Sequence, residues 1–277
     1  MQCLRPIVLK RVIDGKWRID PVPCGKCINC LDRKRKFWFA RLMIESRSTP
    51  LPPVMITLTY DDDHLPVSGD VSKKDVQDFL KRLRYYSQES FRYFIVSEYG
   101  PLRHRAHYHG ILFDFPLDKA TDDIIGKAWS NGFVSIGIAK DGGLSYCCKY
   151  VTFKSHSYGK APNFMLASRR PAIGLSYLEN ADLVKWHKAD PVNNSYITFF
   201  GKKLPMPRYL KEKIYNEEER KLISDKCSEE SFKNRMLQNA KFKVRYCDWV
   251  EDRQADNEYI AQRSRDFDKS FKKSKDL

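Results

Sequence analysis

No apolar run in this 277-residue chain approaches the roughly 20 residues needed to cross a bilayer. The first residues, MQCLRPIVLK, lack the charged-then-apolar pattern of a secretory leader. A soluble protein with no membrane partner is therefore expected, acting in the cytoplasm. The phosphate-cradling pattern GxxxxGK[ST] is missing too, so no P-loop motor is expected in these residues. Histidine is scarce, with six residues. Acidic charge is in deficit: 35 Asp and Glu stand against 50 Lys and Arg, a net charge of +15. No internal repeat is visible.

That deficit is uneven. The first 50 residues carry 12 Lys and Arg against 4 Asp and Glu, which describes a basic surface and favours an anionic partner. Nucleic acid fits best, because cations that neutralise phosphates release condensed counterions. The run Arg33-Lys34-Arg35-Lys36 lies in the first turns of a helix expected over 30–48, where cations oppose the helix dipole. Such a placement suits an external anion. Just before it, CGKCINC spaces Cys24, Cys27 and Cys30 as metal-binding thiolates are spaced. A tetrahedral zinc site needs four ligands; Cys3 could fold back to supply one. An iron–sulfur cluster and a metal-free thiol turn stay open.

Beyond Pro50, Pro52 and Pro53, VMITLTY (54–60) alternates as a strand, and Ser72 caps a helix with Val76, Phe79, Leu80 and Leu83 on one stripe. FRYFIVSE (91–98) and HYHGILF (107–113) form a hairpin. A short helix over 121–130 ends at Asn131-Gly132, FVSIGIA is a fourth strand, and LSYCCKYVTFK (144–154) a further helix. This order predicts an α+β fold: an antiparallel sheet with helices packed on one side, ferredoxin-like in character. Three segments are expected. They are a basic, cysteine-containing 1–50, a core at 51–160, and a charged, largely helical extension at 161–277, loosely packed from Leu210 and ending in the basic tail KSFKKSKDL.

Strand alternation puts His107 and His109 on one face, with Tyr108, Gly110 and Leu112 on the other. Glu98, on the partner strand, sits opposite or diagonal to them. Two imidazoles and a carboxylate can hold one cation and leave positions open, which suits a Lewis acid acting on a phosphoryl oxygen. On the later helix Tyr146 and Tyr150 lie four residues apart with Lys149 beside both. Taken singly, each feature also fits an ordinary structural role: a core histidine pair, a strand-end ion pair with Arg103 or Arg105, two half-buried aromatics.

Together these motifs resemble the HUH endonucleases, the metal-dependent nickases of rolling-circle replication, and among them the initiators of gokushovirus-type microviruses. The resemblance covers most of residues 20–215. It rests on CGKCINC, MITLTYDDDHLP, VSEYG followed by HYHGILF, YCCKYV and GKKLPMPRYLKEKIY. It implies His107, His109 and Glu98 as ligands of Mg2+ or Mn2+, Tyr146 and Tyr150 as paired nucleophiles, and Lys149 as the motif lysine. Lys154, four residues after Tyr150, falls one position later than Lys149 after Tyr146, which favours Tyr146 to act first.

The implied activity is nicking of single-stranded origin DNA in the host bacterial cytoplasm, with strand joining afterwards. The products are a 5′-phosphotyrosyl link and a 3′-OH for a host polymerase, any helicase being another protein. Arg33, Lys34, Arg35, Lys36, Arg103, Arg105 and Lys154 are the expected DNA contacts. A DNA-binding regulator with a zinc site, and a phosphodiesterase using water, are the alternatives.

Overall fold

The structure is a computed structural model that describes residues 3, 6–13, 15–100, 104–151, 159–241, 262 and 265. Its contacts fall into two compact units, one of residues 38–180 and the other of 1–37 with 181–276. The first thus extends past the boundary expected at residue 160.

Within 38–180 five antiparallel strands form one sheet. In chain order they are β3 (Val54–Tyr60), β4 (Arg92–Tyr99), β5 (Ala106–Phe113), β6 (Gly132–Ile138) and β7 (Met165–Ala167). Their order across the sheet is β6-β3-β5-β4-β7. The first four, with helix α2 (Lys73–Ser87) after β3, follow the ferredoxin-like path expected from sequence. Between β5 and β6 the expected helix is largely a π-type turn, Asp122–Gly126.

Alternation divides the sheet. Val54, Ile56, Leu58, Tyr60, Ile95, Tyr108 and Leu112 pack with Val76, Phe79, Leu80 and Leu83 of α2 and with Trp129. The opposite face is not bare. Trp38, in helix α1 (Ile28–Ser48), meets Phe94 at 5.1 Å, and helix α3 (Asp141–Tyr150) places both its tyrosine rings against His109. Helices therefore cover both faces, not one as expected, because β4 and β5 are apolar on both sides. Glu45 of α1, fully buried, accepts a hydrogen bond from the Gly174 N–H at 2.7 Å and pairs with Arg92 at 2.9 Å. Burial pushes its carboxyl above the usual range.

Two glycines are dictated by the sheet. Gly132 has φ +144°, and a Cβ there would fall 2.3 Å from the Asp61 nitrogen, so only glycine makes this turn. Gly110 lies between Ile56 and Ile95, where a Cβ would come within 2.8 Å of Ile56.

The other unit holds features that sequence reasoning missed. A hairpin of β1 (Ile7–Ile13) and β2 (Lys16–Val22) precedes α1. Helix α4 (Ala181–Ala189), the hairpin β8 (Tyr196–Phe199) and β9 (Lys202–Pro205), and helices α5 (Arg208–Ile214) and α6 (Glu217–Lys241) follow. Leu210, Ile214, Tyr215 and Ile223 are buried, so the start of the region expected to be loose is packed. The basic tail, Arg103 and Lys154 lie outside the described residues.

Candidate active site

β4 and β5 pair so that Glu98 stands opposite His107 and Val96 opposite His109. On the other side of β5, Thr59 faces His107 and Thr57 faces His109. The register is fixed from behind. The Tyr108 hydroxyl meets that of Tyr60 at 2.9 Å and accepts from the Ser72 N–H at 2.6 Å, while Tyr60 donates to Asp75 at 2.7 Å. Ser72 caps α2 as expected, its hydroxyl accepting from the Asp75 N–H. One-residue slippage would bury the histidines and expose Tyr108, so this network holds the imidazoles on their face.

Each histidine is oriented by a neighbour. His107 Nδ1 lies 2.6 Å from the Arg105 carbonyl, which can only accept, so Nδ1 carries the proton and Nε2 the lone pair. Gly100 leaves room for this ring: a Cβ there would stand 3.1 Å from His107 Cε1. His109 Nε2 is 2.8 Å from Glu98 Oε2, and its Nδ1 is 3.2 Å from the Thr57 hydroxyl. Thr57 can donate or accept, so His109 can carry its proton on either nitrogen without losing that bond. Glu98 therefore pairs with His109 rather than with the arginines. Thr57 was missed from sequence, although it alternates onto the histidine face.

The tyrosines complete the cluster. The Tyr150 ring stacks on His109 at 4.8 Å and 16°, and Tyr146 meets the same imidazole edge-on at 5.3 Å. The Tyr150 hydroxyl hydrogen-bonds Tyr146 and Glu98. Lys149 Nζ stands 5.7 Å from the Tyr146 ring centroid and 5.9 Å from that of Tyr150. Burial, the Tyr146 bond and the Glu98 charge all push the Tyr150 phenol far above its ordinary range. Burial also raises Tyr146, against the Tyr150 hydrogen bond, which lowers it. The structure thus gathers Glu98, His109, Tyr146, Lys149 and Tyr150, with His107 on the same face in register with Glu98.

Among the described residues, the set of three or more metal-ligand atoms lying within 4.8 Å of one another is Cys3, Cys24, Cys27 and Cys30. His107 does not close on the Glu98–His109 pair at that spacing. The expected DNA contacts are variously engaged. Arg35 and Lys36 both pair with Asp32, at 3.0 and 2.9 Å, and Arg33 points to Cys30 Sγ at 3.9 Å. Lys34 is exposed. Arg105 donates to the Tyr60 carbonyl at 2.8 Å and is ion-paired with Asp62.

One exposed aromatic was not anticipated. Phe133 of β6 lies opposite Thr59 and continues the row Glu98–His107–Thr59 across the sheet. It is 68 % exposed.

Comparison with known proteins converges on this region. Residues 53–155 match the Replication-associated protein ORF2 family. The chain is 29 % identical over 226 residues to Replication-associated protein ORF2 of Spiroplasma virus 4, covering 72 % of this chain and 69 % of that protein. Replication-associated protein ORF4 of Chlamydia phage 1 is 28 % identical over 77 % of this chain, which spans 58 % of that longer protein. Replication-associated protein VP4 of Bdellovibrio phage phiMH2K is 28 % identical, with 76 % of each covered. The matched family segment holds β3 to β6, the histidine–carboxylate pair and both tyrosines; through it the chain belongs to the Replication-associated protein ORF2 family.

Proposed function

We propose that this chain initiates phage DNA replication by nicking single-stranded origin DNA with a tyrosine. The observation that carries the reading is the Glu98–His109 pair, 2.8 Å apart, with both tyrosine rings packed on the same imidazole and Lys149 beside them. A core histidine would need none of these partners, and a regulator would not need two phenols there. The relatives' names support a replication role.

Glu98, His107 and His109 would hold a divalent cation, Mg2+ or Mn2+, and the donor set suits one: a carboxylate oxygen and an imidazole nitrogen already in contact, with a second imidazole keeping its Nε2 lone pair. Such an ion supplies Lewis-acid polarisation of the scissile phosphate. Completing the set requires the His107 ring to move toward the pair.

The protein's own groups do the rest. As a phenol oxygen bonds to phosphorus, the bond from phosphorus to the 3′ oxygen breaks, the 5′ phosphate stays on tyrosine and the 3′ oxygen takes up a proton. The phenolic proton can pass along the Tyr146–Tyr150–Glu98 hydrogen bonds. Both phenols are held protonated by burial, so the Lys149 ammonium is the counter-charge that eases their ionisation. Tyr146 acts first, since it is half-buried where Tyr150 is buried. Tyr150 then cuts the regenerated origin, and strand joining releases a circle. The 3′-OH serves a host polymerase.

The test is incubation with labelled single-stranded origin DNA and Mn2+, read on a denaturing gel. We expect a covalent adduct from the wild type, reduced adduct from Tyr146→Phe, and none from Tyr146→Phe/Tyr150→Phe. Cleavage without any adduct would instead support hydrolysis by water. Binding with neither cleavage nor adduct would support a regulator.

A further inference from the structure

We propose that Cys3, Cys24, Cys27 and Cys30 bind one structural Zn2+ as thiolates, and that this centre holds the β1–β2 hairpin to the start of α1. Four thiols would release four protons to solvent and give a centre of net charge −2.

Three observations carry it. The first is spacing. All four sulfurs lie within 4.8 Å of one another, and Cys3 Sγ is 3.8 Å from Cys27 Sγ. A disulfide needs about 2.05 Å. Two ligands of a tetrahedral zinc, each about 2.3 Å from the metal, stand roughly 3.8 Å apart. The second is the backbone. The Lys26 and Cys27 N–H groups donate to Cys24 Sγ at 3.4 and 3.2 Å, and the Cys24 N–H donates to Cys3 Sγ at 3.2 Å. Gly25, at φ +71°, makes the turn that aims the first two. Amide donors converging on sulfur stabilise the charged thiolate.

The third observation is what the surroundings lack. The first turn of α1 has no acidic residue, yet Arg33 and Lys34 follow closely and Arg33 is directed at Cys30 Sγ. A doubly negative centre at that helix end satisfies both the helix dipole and the arginine. The hairpin, for its part, leaves Ile7, Val8, Val12 and Trp17 exposed, Trp17 by 74 %. A two-stranded hairpin with so little burial is marginal by itself. Cys3 and Cys24 flank its open end, where a metal cross-link stabilises it most.

Elemental analysis of the purified full chain should give about one zinc per molecule. X-ray absorption should show four sulfur neighbours at about 2.3 Å. Cys3→Ser should lose the metal and make residues 1–27 protease-sensitive, while Cys227→Ser, an exposed cysteine outside the cluster, should keep both. The wild-type spectrum decides the matter even if Cys3→Ser fails to fold. A zinc shell containing nitrogen or oxygen, iron with acid-labile sulfide, or stoichiometric disulfide in the metal-free protein would each overturn the proposal. Because none of these readouts involves DNA cleavage, they stand apart from the nicking reading.

Discussion

At the scale of single residues, the site depends on groups that touch no substrate. To ligate through Nε2, His109 must move its proton to Nδ1, where only Thr57 receives it. Thr57→Val should therefore raise the Mn2+ concentration needed for adduct formation by about 10- to 100-fold, the usual effect of losing a ligand's orienting bond. Thr57→Ser should restore it; equal Mn2+ dependence in all three proteins would reject the role. On the reverse face, burial pushes the Tyr108 phenol up to about 12 from an ordinary 10. The unfolded chain loses this proton first as pH rises, so stability falls between pH 10 and 12. Tyr108→Phe should lower stability at neutral pH by about 1–3 kcal/mol by leaving the Ser72 N–H and Tyr60 hydroxyl without their partner. It should also make the alkaline decline shallower, which denaturant titrations at pH 8 and 11 would measure.

At the scale of elements, legibility followed periodicity. β3, β4, β5 and α2 were readable because each buries one regular stripe against the same core. β7 was not, since three residues at a sheet edge carry too little pattern. The β1–β2 hairpin was not, because its apolar residues are exposed rather than alternating into a core. The pairing of Glu98 with His109 rather than an arginine needed the register, which sequence alone left as opposite or diagonal. The same register exposes a role for β6. On the proposed reading Phe133 lies in the row of Glu98 and His107, free to stack a base, an interaction of roughly 1–3 kcal/mol. Phe133→Ala should thus weaken single-stranded DNA binding about 5- to 100-fold in fluorescence titrations, without changing Tm. Unaltered affinity would remove Phe133 from the interface.

For the molecule as a whole, composition foretold a basic partner surface but not how its charges are spent. Of the four cations at 33–36, Arg35 and Lys36 are paired with Asp32 and Arg33 is directed at a thiol, leaving Lys34 the exposed one of the run. Lys34→Ala should reduce the slope of log affinity against log salt by about 0.7 for single-stranded DNA, and weaken binding alike for every sequence. Arg35→Ala should change the slope less, and equal slopes for the two variants would refute this division.

The strand that carries both histidines lies at the centre of its sheet, with partners on either side over most of its length. In terms of time, such backbone opens only when the whole sheet does, whereas the ten-residue helix α3 rests on it through side chains. Amide hydrogen exchange should therefore be slowest at Tyr108–Leu112 and measurably faster across Leu144–Tyr150. The two halves of the site would then live on separate clocks: a histidine platform that lasts as long as the fold, and a tyrosine helix that can leave it and return many times before the protein unfolds once.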